Sequence, residues 1–149
     1  MSTQLARTTV PIDYMGMQAF FRVTKEMSGG TYQAFENITP PGTGVPLHTH
    51  PTDDETLFVE QGRLTCVLGA SRFVAETGDC VQLPAGTPHA WSALGDETAV
   101  VLVVARLRSD GDFERMFRDL SPLTPEDFEA AIVICEANAI ELTWPLEMA

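Results

Sequence analysis

The chain of 149 residues contains three histidines, His48, His50 and His89. His48 and His50 flank Thr49, so on an extended strand both imidazoles project to one face, close enough to bind a single ion. Glu55 follows across the acidic connection Pro51–Asp54, and a reversal of direction there returns its carboxylate to the same point. Asp54 competes for that role at a spacing one residue shorter; otherwise it forms a solvated loop with Asp53. His89 lies far along the chain, just past the turn Pro84-Ala85-Gly86, and meets the others only through tertiary folding. Three imidazoles and a carboxylate suit one divalent transition metal ion, Fe, Mn, Ni, Co, Cu or Zn, with the choice left open. Around an octahedral ion, four protein ligands leave two positions, one for a substrate oxygen anion and one for dioxygen or water. Swung off the ion, Glu55 is a catalytic candidate as well, because a carboxylate beside a bound acidic hydroxyl is within proton-transfer reach.

These residues need a scaffold that brings distant segments together. From Ala19 to about Arg106, short apolar or alternating stretches recur between turn residues: Ala19–Thr24, Thr31–Ile38, Thr56–Glu60, Leu64–Leu68, Arg72–Ala75, Val81–Leu83, His89–Ala93 and Ala99–Arg106. Their spacing predicts a β-sandwich or barrel rather than alternating β and α units. By parity Leu57 and Val59 share a face with Glu55, and Trp91 shares one with His89, so all three point inward on regular strands, with Cys66 joining them. For Leu57 and Val59 barrel core is the ordinary role. Trp91 is the better substrate contact, since an indole beside an ion can stack on a flat molecule. Arg63 and Arg72 both lie near turns, so no inward cation is expected to recognise a strongly anionic substrate. Met15, Met17, Phe20 and Phe21 either line the pocket or pack at a dimer interface.

The period changes near residue 110. Phe113, Met116, Phe117 and Leu120 form the apolar stripe of a short helix. Thr124, Pro125, Glu126 and Asp127 read as a second helix start, continued on one face by Phe128, Ala131, Ile132, Cys135 and Ala139. Both helices are expected to cover one end of the barrel, with a lid as the functional alternative.

Gly42, His48-Thr49-His50, Glu55 and Gly62 resemble the first motif of the cupin superfamily, and Gly78, Pro84-Ala85-Gly86 and His89 resemble the second. Ala93 stands where the second motif usually has Asn, a position that is not usually a ligand. The resemblance implies an all-β antiparallel jelly-roll barrel over about residues 15–107, with the helical segment at about 108–149, in one domain similar to small quercetin dioxygenase-like cupins. It also implies His48, His50, Glu55 and His89 as ligands, a small-molecule substrate and a homodimer. The activity expected is a metal-dependent dioxygenase acting on a hydroxylated or enolisable organic molecule. Two alternatives are a metal-dependent isomerase, decarboxylase or cyclase that uses no oxygen, and a non-catalytic small-molecule-binding protein.

Composition narrows the partners. With 21 Asp and Glu against 9 Lys and Arg, the net charge of −12 repels phosphate backbones and anionic lipid, so neither nucleic acid nor membrane is expected to bind. The longest apolar runs, Ala99–Ala105 and Ala130–Cys135, fall far short of the roughly 20 residues that cross a bilayer. Met1 to Pro11 lacks the apolar stretch of a secretion leader, so a cytoplasmic location is expected. Cys66, Cys80 and Cys135 are widely spaced, with no C-x-x-C pair, and are expected to be reduced and buried.

Overall fold

The computed structural model describes residues 10–149; most of the stretch read for a secretion leader, residues 1–9, lies outside it. One antiparallel sheet contains β1 (Ile12–Tyr14), β2 (Met17–Val23), β3 (Tyr32–Thr39), β5 (Asp54–Gln61), β8 (Cys80–Leu83) and β10 (Ala99–Arg106). The second contains β4 (Gly44–Thr49), β6 (Leu64–Leu68), β7 (Ser71–Ala75), β9 (His89–Ala93) and β11 (Glu141–Leu142). Spatial order is β1-β2-β3-β10-β5-β8 in the first sheet and β11-β4-β9-β6-β7 in the second, which makes a jelly roll with two helices, α1 (Phe113–Leu120) and α2 (Phe128–Glu136).

Alternation builds the core. On β5, Glu55, Leu57 and Val59 are buried while Phe58 and Glu60 face out; on β10, Ala99, Val101, Val103 and Ala105 are buried. Each fully buried aliphatic side chain contributes about 1.5–3 kcal/mol of transfer free energy. The same parity turns Val81 and Leu83 of β8 inward and leaves Cys80 exposed, contrary to the expectation of a buried thiol. Cys66 and Cys135 are buried.

Three strands lie outside the predicted set. β1 and β2 form a hairpin across Met15-Gly16, both with positive φ, the two-residue turn whose twist suits paired strands. β4 contains Gly44 and Pro46, which obscure it. Gly44 is required there, because a Cβ would meet the Trp91 carbonyl of β9 at 2.5 Å. Pro46 sits where the β4–β9 register shifts, between Val45↔Trp91 and His48↔His89, and a bulge tolerates a residue with no N–H. β11 adds to the other side of β4.

Helix α1 is held from both ends of its sequence logic. Its stripe Phe113, Met116, Phe117 and Leu120 is buried as expected, with Phe117 stacked on Tyr14 at 4.0 Å and edge-on to Phe35. Asp112 caps the amides of Glu114 and Arg115. The fully buried Gln33 of β3 accepts from Phe113 N–H at 2.8 Å and donates to Asp112 at 3.0 Å, tying the helix start to the barrel. Helix α2 begins at Phe128, later than Thr124 predicts. The Asp127 carboxylate turns back to accept from the Thr124 N–H and hydroxyl, making a turn of that stretch. The helix ends at Glu136; Ala139 takes φ of 58° and Ile140 N–H returns to the Cys135 carbonyl, so Ala139 lies beyond the helical face.

Candidate metal centre

Each ligand candidate is set by its strand. His48 of β4 lies opposite His89 of β9 in the five-stranded sheet, and Glu55 comes from β5 of the facing sheet. His50 follows β4 directly. The loop after it is laced to the turn that presents His89: Gly86 N–H donates to the His50 carbonyl at 2.8 Å, and Ala85 N–H donates to Asp54 at 2.9 Å. Two motifs distant in sequence are thereby held in one rigid corner.

All four side chains are buried, and one donor atom from each lies within 4.8 Å of the rest. The imidazole tautomers follow from their backbone partners. His48 Nδ1 lies 2.7 Å from the Pro46 carbonyl, which the bulge aims at it, and His89 Nδ1 lies 3.1 Å from the Thr87 carbonyl. A carbonyl only accepts, so both Nδ1 atoms carry the proton and both Nε2 lone pairs face the cluster centre. His48 Nε2 and His50 Nε2 approach to 3.0 Å, while His50 and His89 Nε2 lie 3.5 and 3.3 Å from the Glu55 oxygens. His50 Nδ1 and His89 Nε2 have no hydrogen-bond partner. A buried lone pair without a donor is costly, and a cation at the centre satisfies that of His89 Nε2, whereas His50 Nδ1 lies on the far side of its ring.

The protonation states agree with that fit. Burial lowers His48 to about 3, with His89 and His50 adding to the effect, and burial likewise lowers His50. Burial works against ionisation of Glu55, yet the adjacent imidazoles of His50 and His89 outweigh it and hold the carboxyl at about 2. Neutral imidazoles at His48 and His50 beside an ionised carboxylate suit a divalent cation.

Asp54 is placed elsewhere: its carboxylate pairs with Arg106 and accepts from Ala85 N–H, contacts that hold it below the usual carboxylate range. Asp53, expected in a solvated loop, is instead buried, accepting at 2.7 Å from both Arg108 N–H and the Ser109 hydroxyl. It anchors the loop between His50 and Glu55 to the segment after β10. An acidic pair gave no means of telling which member turns in.

A cavity of about 1000 Å³ opens beside the cluster, and His48, Glu55 and Trp91 line it. Leu57, Val59 and Cys66 do not; they are buried in the core. Alternation assigns a side chain to a face but not to a depth, and two residues along a strand move about 6.6 Å down the barrel. Met15 and Met17 are on the cavity wall, Phe21 is in the core and Phe20 is partly exposed. Helices α1 and α2 and the tail also contribute to the wall. Their part was not visible in strand parity.

Residues 36–105, just under half of the chain, match the Cupin domain family. The barrel has the cupin fold. Over 60 residues it is 35% identical to quercetin 2,3-dioxygenase of Bacillus subtilis, a stretch covering 40% of this chain and 18% of that protein. Over 67 residues it is 31% identical to an uncharacterised protein of Methanocaldococcus jannaschii, covering 45% and 54% of the two chains. The cupin chain thus spans about half or less of the curated relatives it matches. Its fold also superposes on a predicted oxalate decarboxylase from Thermotoga maritima, with TM-score 0.62 and 20% identity over 72% of this chain and 99% of that one. Among the described residues no helix is long and apolar enough to cross a membrane.

Proposed function

We propose that this cupin is a metal-dependent dioxygenase acting on a small hydroxylated or enolisable organic molecule. The observation that carries the reading is the convergence of His48, His50, His89 and Glu55 on one point at the wall of a mostly apolar cavity. The local similarity to a quercetin dioxygenase supports the oxidative branch. A divalent transition metal ion held by these four residues supplies Lewis acidity and redox capacity. His48 and His89, oriented through Pro46 and Thr87, keep their Nε2 lone pairs on the ion, and Glu55 completes the set from the opposite sheet. With its carboxyl ionised, Glu55 accepts the proton of a substrate hydroxyl at Oε1 or Oε2. Trp91 stacks on the substrate ring, and the apolar wall keeps bulk water from the reacting carbon. The reading takes the chain as one cupin domain, barrel at about 15–107 and covering segment at about 108–149, in a cytoplasmic homodimer.

Oxygen uptake by protein reconstituted with Fe, Mn, Ni or Co, with flavonols and simpler phenols as substrates, tests this. Uptake is expected with at least one metal, and loss of both metal and uptake in His48→Ala/His89→Ala. Turnover unaffected by anaerobiosis assigns an isomerase, decarboxylase or cyclase instead. Saturable binding without turnover under every metal assigns a binding protein. Full metal content in the double variant refutes the ligand set.

A further inference from the structure

We infer that the substrate is an uncharged, predominantly apolar ring system, and that it is selected by the C-terminal segment rather than by the cupin residues that hold the ion. The inference rests on the proposed site and gives it a substrate class. Of the four clustered side chains, only His48 and Glu55 reach the cavity surface, so the reactive end occupies one patch of its wall. Among the described residues, the remaining wall contains one further charge, Asp13, and neither Lys nor Arg. A carboxylate or phosphate placed there loses its hydration with no cation to replace it, and the net charge of −12 repels it before entry. Ligands that carry a charge away from the ion, such as sugar phosphates, are therefore poor occupants.

The wall itself points to flat, polarisable ligands. Met15 and Met17 line the cavity together with Met116 of α1 and Met148 of the tail, and Trp91 and Phe117 add aromatic faces. Thioethers adapt to irregular apolar shapes and contact aromatic rings favourably. A cavity of about 1000 Å³ is at the top of the range for small-molecule sites and is far larger than a two-carbon acid fills. The match to the cupin family ends at residue 105, whereas Met116, Phe117, Phe128, Ala131, Leu146 and Met148 all follow it. The helix and tail residues of the wall thus lie outside the matched stretch that contains the ion-holding residues.

Calorimetric titration of the metal-loaded protein with 2-naphthol and with 6-hydroxynaphthalene-2-sulfonate tests this. Both probes offer the same hydroxyl to the ion; only the second carries a charge at the far end of the rings. The sulfonate is expected to bind at least tenfold more weakly. Ala131→Trp, which fills the wall from α2, is expected to weaken 2-naphthol at least tenfold with metal content unchanged. Ser121→Lys, at an exposed residue on the cavity rim after α1, is expected to narrow the gap between the probes without disturbing the core. Equal affinities, no binding of 2-naphthol, or unaltered binding in folded Ala131→Trp and Ser121→Lys overturns the inference. The readout is binding alone. Probe selectivity without oxygen uptake refutes the dioxygenase reading only, and oxygen uptake without selectivity refutes the substrate class only.

Discussion

Replacing Gln33 by Met tests how the barrel holds the helix that roofs its cavity. Gln33 is fully buried, and its amide makes two bonds at the start of α1, accepting from Phe113 N–H and donating to Asp112. Met matches its length but offers no comparable group. The Phe113 N–H is left buried and unpaired, which costs about 1–3 kcal/mol, and the lost bond to the Asp112 carboxylate adds about 1.5–3 kcal/mol. Asp112 keeps its two capping bonds to Glu114 and Arg115, and the more apolar side chain returns about 1 kcal/mol, so the net destabilisation is about 1.5–5 kcal/mol. With a urea slope of about 2 kcal/mol/M, the midpoint falls by about 0.8–2.5 M. Because Phe113 packs 5.7 Å from the His50 ring, ring centre to ring centre, the loss is also local. Amide exchange in residues 113–120 is expected to accelerate more than exchange in β5 or β10. A midpoint shift under about 0.3 M, or exchange in α1 no faster than in the parent, refutes the argument that this one side chain fastens the helix.

Chelation of the metal-loaded protein is expected to lower its melting temperature. At a free metal concentration of one hundred times Kd the bound ion contributes about 2.7 kcal/mol, or about 5–11 °C for a chain of this size, and superimposable melting curves with and without chelator contradict a bound ion. Gly62→Ala is expected to cost more than about 2 kcal/mol by urea titration, because position 62 has φ of 76° and its Cβ would lie 2.9 Å from the Ala99 backbone; an unchanged midpoint refutes the clash. In chelated protein, His48 stays neutral down to about pH 3, whereas the unfolded chain takes up that proton near pH 6.5. The unfolded state then binds more protons across this window, so stability falls as pH drops, by about 1.4 kcal/mol per unit, and His48→Gln flattens the slope; equal slopes remove His48 as its source.

The meeting of the four candidate side chains was legible in the sequence because motif spacing records what two strands and two turns must do to meet. Gly42, Gly62, Gly78 and Gly86 all take positive φ, so the punctuation that framed the motifs corresponds to backbone geometry. The apolar stripe of α1 was legible for the simpler reason that it is buried. What escaped is non-local. Strand β4 gains its identity from pairing with β9 and β11 on either side, while its own Gly44 and Pro46 argue against a strand. The burial of Asp53 depends on donors at Arg108 and Ser109, more than fifty residues away. Which inward residues touch the cavity depends on where the roof sits, and neither α1 nor the tail announces its landing place in a local pattern.

The way the last residues lie along β4 has a consequence for handling the protein. Leu47 N–H donates to the Glu147 carbonyl and Thr143 N–H donates to the Leu47 carbonyl, so the strand bearing His48 is shielded on its outer side by the final stretch of chain. Trimming that stretch, or displacing it with an appended affinity tag, would strip the strand of its cover and leave a row of free backbone groups ready to pair with a neighbouring molecule. Preparations shortened at this end should self-associate and lose ion affinity together, since the same strand presents both the sticky flank and the first imidazole.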